Sequence, residues 1–264
     1  MKPKPKHLGL EYAAQFKDRS IAEDYRYRPL YPPETFEILS GLITDKPRVV
    51  LDVGCGTGYI ARYLIKLVDR IDAIDFSRHM IEKGRNLPNG SHPNINWICS
   101  SVEEAAFLPP YALITAGQSL HWLEWNMVFQ RFKEALTPKG YLALINYRFP
   151  LKTPWNDELT RILGRFSTNQ DFQPYDLVEE LENRGLFQKH GEKQTPPISL
   201  RQAVDEYIKS LHSSNGFSRE RMGKEKSEAF DDEVKQLVSK HCPGREFETQ
   251  ITAEIVWGKP KPSS

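Results

Sequence analysis

The chain has 264 residues, which suits one α/β domain with an insertion or a small cap. Its formal net charge is +1, so no whole-molecule field draws it to nucleic acid or a membrane surface, and no apolar run approaches the roughly 20 residues that span a bilayer. Three widely spaced cysteines and histidines without ligand spacing favour a reducing, cytoplasmic setting and predict neither disulfides nor a metal.

The first half of the chain predicts strands that alternate with helices. The basic segment 1–6 lacks the apolar stretch of a signal peptide, and we expect a solvated tail there, as at 259–262. Short apolar runs predict strands at 48–53, 71–74, 95–99, 112–116 and 141–145. Helical spacing marks 59–68, a helix after Ser77 as its cap, and a helix from Trp125 to near Pro138. This alternation predicts a parallel sheet whose ligand lies beyond the carboxyl ends of its strands.

The second half predicts a helical insertion followed by one last strand. Ser199 to Gln202 resemble a capping box that starts a helix running to Leu211, and apolar spacing predicts another helix around 230–238. The polar segment 213–223 between them predicts a loop. Alternating apolar positions from Phe247 to Trp257 predict a strand. We therefore divide the chain into an N-terminal tail and lid helices (1–45), a ligand-binding core (46–150), a helical cap with one core strand (151–245), and the last strand and tail (246–264).

A glycine-rich loop follows the first strand, with glycines at 54, 56 and 58. Glycine permits positive φ and close approach of the backbone to a ligand. Tyr59 stands where a dinucleotide-binding loop has its third glycine, and the Gly-Lys-Ser/Thr ending of a phosphate-binding loop is absent. Both phosphate interpretations are therefore weak.

Two acidic residues border this loop. Asp52 ends the first strand and suits a ligand with an ammonium group, because it would repel a phosphate. Asp75 ends the second strand, about 20 residues beyond the loop, where an acid accepts hydrogen bonds from ribose hydroxyls. A cationic, ribose-bearing ligand without phosphate matches S-adenosylmethionine. The competing interpretation is a tight turn with two exposed acids.

These residues carry a resemblance to a known family. The segments 51–58 (LDVGCGTG) and 74–77 (IDFS) resemble the class I S-adenosylmethionine-dependent methyltransferases. Segments 25–32, 117–122 and 136–140 resemble, more narrowly, the small-molecule enzymes related to trans-aconitate methyltransferase. The resemblance implies a Rossmann-like, doubly wound α/β fold with a mostly parallel seven-stranded sheet, an antiparallel last strand and a helical cap. It also implies S-adenosylmethionine as cofactor and S-adenosylhomocysteine as product.

The resemblance further assigns cofactor-binding roles. Asp75 would hold the ribose, Phe76 would pack on the adenine, and Gln118 would lie under the sulfonium. Ser101 stands where many members have an acid for the adenine amino group, and Tyr111 precedes Ala112 where an Asp is frequent. The expected cofactor-binding residues are Asp52, Gly54, Cys55, Gly56, Asp75, Phe76, Ser101, Val102 and Gln118.

The acceptor side is less defined by the sequence. A base is required only if the acceptor must lose a proton. His121 is the candidate base, and the equally weighted alternative is a packed residue beside Trp122. The aromatic and basic cluster before the first strand is either a substrate lid or a packed helix edge. The expected substrate or lid residues are Tyr25, Arg28, Tyr31, Trp122 and Tyr147.

The function that these residues predict is methyl transfer to a small molecule, at a carboxylate or hydroxyl oxygen. Two alternatives stay open: methylation of a macromolecule, either protein or RNA, and cofactor binding without catalysis. Nothing in the sequence gives a strong nucleic-acid or membrane signal, and the oligomeric state is not predicted.

Overall fold

The strands of the protein form one continuous, mostly parallel arrangement. The computed structural model describes residues 4–148, 153–242, 244 and 246–261. Its eight strands in these residues are Val49–Val53 (β1), Arg70–Asp75 (β2), Ile95–Cys99 (β3), Tyr111–Gly117 (β4), Leu136–Arg148 (β5), Phe187–Gln194 (β6), Ile198–Ala203 (β7) and Glu246–Pro260 (β8).

The sheet order is β3-β2-β1-β4-β5-β8-β6, and β7 pairs with the outer part of β8. Strands β1 to β5 are parallel, and β8 runs antiparallel to β5, β6 and β7. The chain leaves β1 towards β2 and β3, then returns to place β4 on the other side of β1. This reversal lies between β1 and β4, the position where ligands bind in doubly wound sheets.

The helices cover both faces of the sheet and build the cap. They are Leu10–Ala13 (α1), Arg19–Asp24 (α2), Glu34–Gly41 (α3), Tyr59–Leu64 (α4), Arg78–Arg85 (α5), Trp125–Ala135 (α6), Asn156–Phe166 (α7), Leu177–Asn183 (α8), Val204–His212 (α9), Arg219–Met222 (α10) and Lys224–His241 (α11). Among the residues that the structure describes, no helix is long and apolar enough to cross a membrane.

The fold has two core layers, one on each face of the sheet, and a separate core in the cap. Leu51 and Phe129 belong to the layer beneath α6, while Val50 and Leu64 belong to the layer beneath α3 and α4. Successive residues of β1 thus point to opposite faces, and both faces are buried. The cap core, with Phe230 at its centre, joins α7, α9 and α11.

The structure confirms the doubly wound, mostly parallel fold with antiparallel strands at its C-terminal side, but the sheet has eight strands rather than seven. The extra strand is β7, where the sequence predicted the start of a helix. Residues 198–203 pair along β8, from Ile198 opposite Ile251 to Ala203 opposite Glu246. Helix α9 begins only at Val204. The open edge of β8 therefore outweighs the local capping pattern at Ser199.

Three smaller predictions were also wrong. Helix α6 ends at Ala135, because Leu136 already begins β5. Ser77 is the N-cap residue of α5, but its hydroxyl makes no capping bond. The segment predicted as a loop at 213–223 contains α10.

The N-terminal residues that the structure describes pack against the protein rather than forming a solvated tail. Lys4 Nζ donates to the carbonyl of Leu123, and Lys6 pairs with Asp171. Near the other end, Lys259 lies within β8 and donates to Pro138 O. Residues 1–3 and 262–264 of the predicted tails lie outside the described residues.

Candidate functional site

The glycine loop between β1 and α4 has a backbone that other residues could not adopt without strain. Gly54, Gly56 and Gly58 have φ values of +60°, +56° and +67°. A Cβ on Gly54 would lie 2.5 Å from Ser119 Cβ, and one on Gly56 would lie 3.0 Å from the Tyr25 hydroxyl. The glycines therefore both shape the turn and leave room for neighbouring chain.

Asp75 ties the end of β2 to this loop. Its Oδ2 accepts from the backbone N–H of Gly56, and its Oδ1 accepts from that of Ser77, both at 2.8 Å. Burial raises the pKa of Asp75 to about 6, although these two backbone bonds act to lower it. Each carboxylate oxygen has a second acceptor site, so hydroxyl groups of a ligand can still bind.

Asp52 is almost completely buried at the end of β1. Its Oδ1 accepts from the hydroxyl of Thr115 at 2.9 Å, and its Oδ2 makes no hydrogen bond of normal geometry. Burial raises the pKa of Asp52 to about 7, while Thr115 and the nearby N–H of Ala61 act to lower it. A cation placed beside this carboxylate would stabilise its charged form.

A cavity of about 520 Å³ opens beyond the carboxyl ends of β1, β2 and β4. Seven of the nine predicted cofactor residues line it: Gly54, Gly56, Asp75, Phe76, Ser101, Val102 and Gln118. Three of the five predicted substrate or lid residues line it too, namely Tyr25, Arg28 and Trp122. The residues predicted from the sequence to bind the cofactor therefore come together around this cavity from the ends of four different strands.

One wall of the cavity was not assigned residue by residue from the sequence. Leu10, Ala13, Ala14 and Lys17 line it from the N-terminal helices, and their spacing of three and four residues is the signal that a helix face leaves. The Lys17 ammonium lies 5.2 Å from the centre of the Phe76 ring. The N-terminal segment thus closes the cavity on the side where the adenine was expected.

A second cavity, of about 230 Å³, holds the other two predicted cofactor residues, Asp52 and Cys55. Tyr31 and Tyr147 line it as well. It shares a wall with the larger cavity, formed by Tyr25, Arg28, Gly54, Gly117 and Gln118. Asp52 therefore lies across this shared wall from Asp75 and does not line the larger cavity.

A third cavity, of about 570 Å³, lies beyond the end of β5. His121 and Tyr147 line it, together with Asn146 and Arg148. His121 packs against the ring of Trp122 at 4.6 Å between centroids. Burial, together with the positive charges of Lys4 and Arg28, lowers the pKa of His121 to about 3. The imidazole is therefore neutral at physiological pH and is a weak base.

Gln118 borders all three cavities. It follows β4 directly, and its φ of +53° lies in the left-handed region, where a residue with a Cβ is strained by about 1–2 kcal/mol. Its N–H donates to Ile145 O at 3.1 Å, which holds the turn against β5. Strain of this kind is concentrated at functional sites.

The residues around the first cavity, of about 520 Å³, fit S-adenosylmethionine. Glycines at 54 and 56 remove the side chains that would fill the loop side, while Asp75 retains free acceptor sites on both oxygens. A buried carboxylate without a cationic partner, that of Asp52, lies across the shared wall. Among the described residues, His, Cys, Asp and Glu form no group of three that could hold a metal ion.

Comparison with known proteins places these residues in a recognised domain. Residues 50–140 match the family of methyltransferase domains. A malonyl-[acyl-carrier protein] O-methyltransferase of Halalkalibacterium halodurans is 36% identical over 110 residues, which are 39% of this chain and 40% of that protein. A ubiquinone biosynthesis O-methyltransferase of Coxiella burnetii is 30% identical over 110 residues, 39% of this chain and 46% of that protein. The chain therefore matches less than half the length of either relative.

Solved structures show the same fold over most of the chain. A protein from Anaeromyxobacter dehalogenans, proposed to be a type II methyltransferase, superposes with a TM-score of 0.61 at 20% identity, covering 88% of this chain and 97% of that one. A SAM-dependent methyltransferase from Thiobacillus denitrificans, solved with S-adenosyl-L-homocysteine, gives a TM-score of 0.51 at 12% identity, covering 91% and 97%. At these identities the likeness establishes the fold alone.

Proposed function

We propose that this chain, whose residues 50–140 form a class I S-adenosylmethionine-dependent methyltransferase domain as the sequence predicts, transfers a methyl group to an oxygen of a small-molecule acceptor. The observation that carries the proposal is the position of Gln118. It borders the cavity that fits the cofactor and also the second and third cavities described above. A methyl donor and an acceptor in neighbouring cavities would meet at this residue.

The cofactor-binding residues have distinct roles in this proposal. Asp75 would hold the ribose hydroxyls, while Phe76, Ser101 and Val102 would border the base. The carboxylate of Asp52, across the shared wall, would attract the ammonium group of the cofactor. S-adenosylmethionine, when bound, supplies a methyl group that is already activated for displacement. The protein therefore has mainly to align the acceptor and exclude water.

The acceptor side of the site consists of Tyr147, Arg148 and Asn146 at the end of β5, and Arg28 from the N-terminal segment lines the second cavity together with Tyr147. In the described part of the chain, Arg28 forms no ion pair with a carboxylate. A guanidinium in this position suits an acceptor that carries a carboxylate, because paired hydrogen bonds can orient it. The two relatives reported above are both named as O-methyltransferases, which supports oxygen as the accepting atom.

The need for a general base depends on the acceptor. A carboxylate oxygen has no proton to lose, so no base is required. For a hydroxyl acceptor, His121 stays the candidate predicted from sequence, although its low pKa makes it a weak proton acceptor.

Two experiments test the proposal in sequence. Calorimetry with S-adenosylhomocysteine measures cofactor binding, and absence of binding at millimolar ligand would refute the methyltransferase assignment. Transfer of labelled methyl groups into a size-fractionated cell extract then identifies the acceptor class. We expect label in the small-molecule fraction. Label on nucleic acid or on protein side chains would contradict the proposal, and label on acyl carrier protein would favour the carrier-bound acceptor named for the Halalkalibacterium relative.

We further propose that the protein acts in a reducing compartment such as the cytoplasm. Cys55, Cys99 and Cys242 are all free. Incubation with and without a reductant tests this directly. We expect activity to persist in reductant, and a requirement for oxidising conditions would oppose the assignment.

A further inference from the structure

The helical cap contains a buried histidine that faces a carboxylate. His212 is the last residue of α9 and is 1% exposed. Its Nε2 lies 2.6 Å from Asp231 Oδ1 on α11, and its Nδ1 lies 2.7 Å from the carbonyl oxygen of Phe217. The ring also packs edge-on against Phe230, with centroids 5.1 Å apart. Both ring nitrogens of this buried imidazole therefore have a partner, although the Asp231 side chain is itself 30% exposed.

The partners determine how many protons the ring carries. A backbone carbonyl can only accept a hydrogen bond, and an ionised carboxylate can only accept as well. Hydrogen bonds from His212 and Arg219 hold the pKa of Asp231 below its ordinary value, against the effect of its partial burial. Both nitrogens of His212 therefore face hydrogen-bond acceptors. A cation at the C-terminal end of α9 is also favoured by the helix dipole.

The charged groups around His212 extend this pair to the N-terminal helices. Arg219, on α10, donates from Nη1 to Asp231 Oδ2 at 3.0 Å, and its Nε lies 3.5 Å from Asp24 Oδ2. Asp24 ends α2 and directly precedes Tyr25. Burial raises the pKa of Asp24, while the positive charges of Arg219, His212 and Lys209 oppose that rise. Arg219 thus links Asp231 of the cap to Asp24 of the N-terminal helices.

The residue after His212 holds Arg28. Ser213 is completely buried and accepts from Arg28 Nε at 2.9 Å on its hydroxyl, and from Arg28 Nη2 on its carbonyl. The Arg28 guanidinium also lies 4.4 Å from the centre of the Tyr25 ring. Arg28 and Tyr25 form part of the wall between the first cavity, of about 520 Å³, and the second cavity. The position of that wall therefore depends on the backbone at the end of α9.

We propose that His212 and Asp231 are positioning residues: as a hydrogen-bonded pair between α9 and α11, they fix Ser213 and thereby hold Arg28 at the wall between the two cavities. Neither residue touches either cavity. Their effect on ligand affinity rests on the proposed function, whereas their effect on Arg28 does not. Arg28 thereby connects the end of α9 in the cap to one wall of the binding site.

The first test needs no ligand. In protein with ¹⁵N-labelled histidine and arginine, NMR reports whether both ring nitrogens of His212 carry protons and how fast the Arg28 Nε–H exchanges with water. We expect two protonated nitrogens, and exchange at least tenfold faster in His212→Gln and Asp231→Asn than in the unmodified protein. An unprotonated ring nitrogen, or unchanged exchange in a folded variant, overturns the proposal.

The matched control is Lys235→Ala, because Lys235 pairs with Asp205 on the exposed side of the same two helices. Exchange at Arg28 should be unchanged there. The affinity for S-adenosylhomocysteine is then measured in His212→Gln, in Arg28→Ala and in the double variant, which together form a double-mutant cycle. We expect His212→Gln to weaken binding three- to tenfold when Arg28 is present and not when it is absent. Equal effects in both backgrounds would mean a general structural role for His212. If the unmodified protein binds no S-adenosylhomocysteine, the proposed function fails while the exchange measurement still decides the role of His212.

Discussion

Asp75 Oδ2 accepts a hydrogen bond of 2.8 Å from the backbone N–H of Gly56, across 19 residues of chain. The end of β2 is thereby fastened to the glycine loop that follows β1. Asp75 also accepts from the N–H of Ser77, which directs the chain into α5. One carboxylate thus shapes the loop, the turn and the ribose end of the proposed cofactor site.

The first prediction concerns replacement of Asp75. Asp75→Ala removes an acceptor for ribose hydroxyls and releases two backbone N–H groups. Because hydrogen bonds to charged groups contribute about 1.5–3 kcal/mol each, we expect the Kd for S-adenosylhomocysteine to rise by about tenfold or more in calorimetry. Asp69→Ala is the control, since Asp69 accepts from the N–H of Arg48 away from the cavity and should bind normally. Unchanged affinity in Asp75→Ala would remove the ribose assignment.

Most of the residues predicted to bind the cofactor line one cavity, because they follow strands directly. Gly54, Asp75 and Gln118 each come immediately after, or end, a buried strand, and parallel strands bring such positions to one edge of the sheet. Helix α11 was predicted equally well from the spacing of its apolar residues. Local pattern was sufficient in both cases.

The sequence failed where a distant partner decides the outcome. Strand β7 forms because β8 offers an open edge, which no feature at Ser199 signals. His212 and Asp231 are 19 residues apart, and Arg28 and Ser213 are 185 apart. Tyr111, whose role the sequence does not predict, donates its buried hydroxyl to Asp72 at 2.7 Å. Contacts of this range depend on tertiary packing rather than on spacing.

The second prediction concerns the glycine loop. Gly54→Ala forces a Cβ to within 2.5 Å of the Ser119 Cβ at a φ of +60°. We expect the free energy of unfolding to fall by about 1–3 kcal/mol and cofactor binding to be lost, because positive φ and steric overlap both penalise alanine. Thermal unfolding and calorimetry measure the two effects.

Gly164→Ala is its matched control. Gly164 lies within α7, and a Cβ there meets nothing within 4 Å. This change should raise stability by about 0.5–1 kcal/mol, since alanine is the better helix former. If Gly54→Ala behaved in the same way, the loop conformation described here could not be correct.

The third prediction is the pH dependence of cofactor binding. Burial raises the pKa of Asp52 from 3.8 to about 7, so the ligand-free protein holds this group protonated below neutral pH. An ammonium group binds the carboxylate form more strongly. We therefore expect affinity to fall as pH drops below about 7, by at most about tenfold per pH unit for one proton, with proton release on binding. Calorimetry in two buffers of different ionisation enthalpy measures that release.

The ligand-free protein should show the opposite dependence in its stability. The pKa values of Asp52 and Asp75 lie above their ordinary value in the fold, so the native state binds more protons than the unfolded state between about pH 4 and 7. The contribution of these two groups to stability is complete below pH 4 and is lost as pH rises through 6–7. In Asp52→Asn, the affinity for the cofactor should depend less on pH. If that pH dependence were unaltered, it would have to come from another group.

The fourth prediction concerns Gln118. Gln118→Asn shortens the side chain by one methylene and retains a residue that tolerates left-handed φ. We expect turnover to fall about tenfold or more, because a misplaced contact near the reacting atoms is costly, while the melting temperature stays the same. Gln118→Gly, which also relieves the strained backbone, should lose turnover to at least the same extent. Retention of activity in the glycine variant would mean that the left-handed turn, which glycine adopts without strain, is sufficient and that the side chain is not required.

The last prediction separates two roles for His121. A general base would make turnover depend on its proton affinity, but the pKa of His121 is lowered to about 3, mainly by burial. As pH falls from 8 to 5 the ring therefore stays neutral, and no loss of activity in this range should trace to it. We expect His121→Ala to lower kcat several-fold with cofactor affinity unchanged, and His121→Gln, which preserves bulk and a polar end against Trp122, to keep most of the activity. Equal and severe losses in both variants would instead favour the base, because glutamine cannot accept a proton at neutral pH. A neutral ring beside Gln118 and Tyr147 would then have to gain basicity when the acceptor binds, and the pH profile of kcat would show it as a new ionisation that the alanine variant lacks.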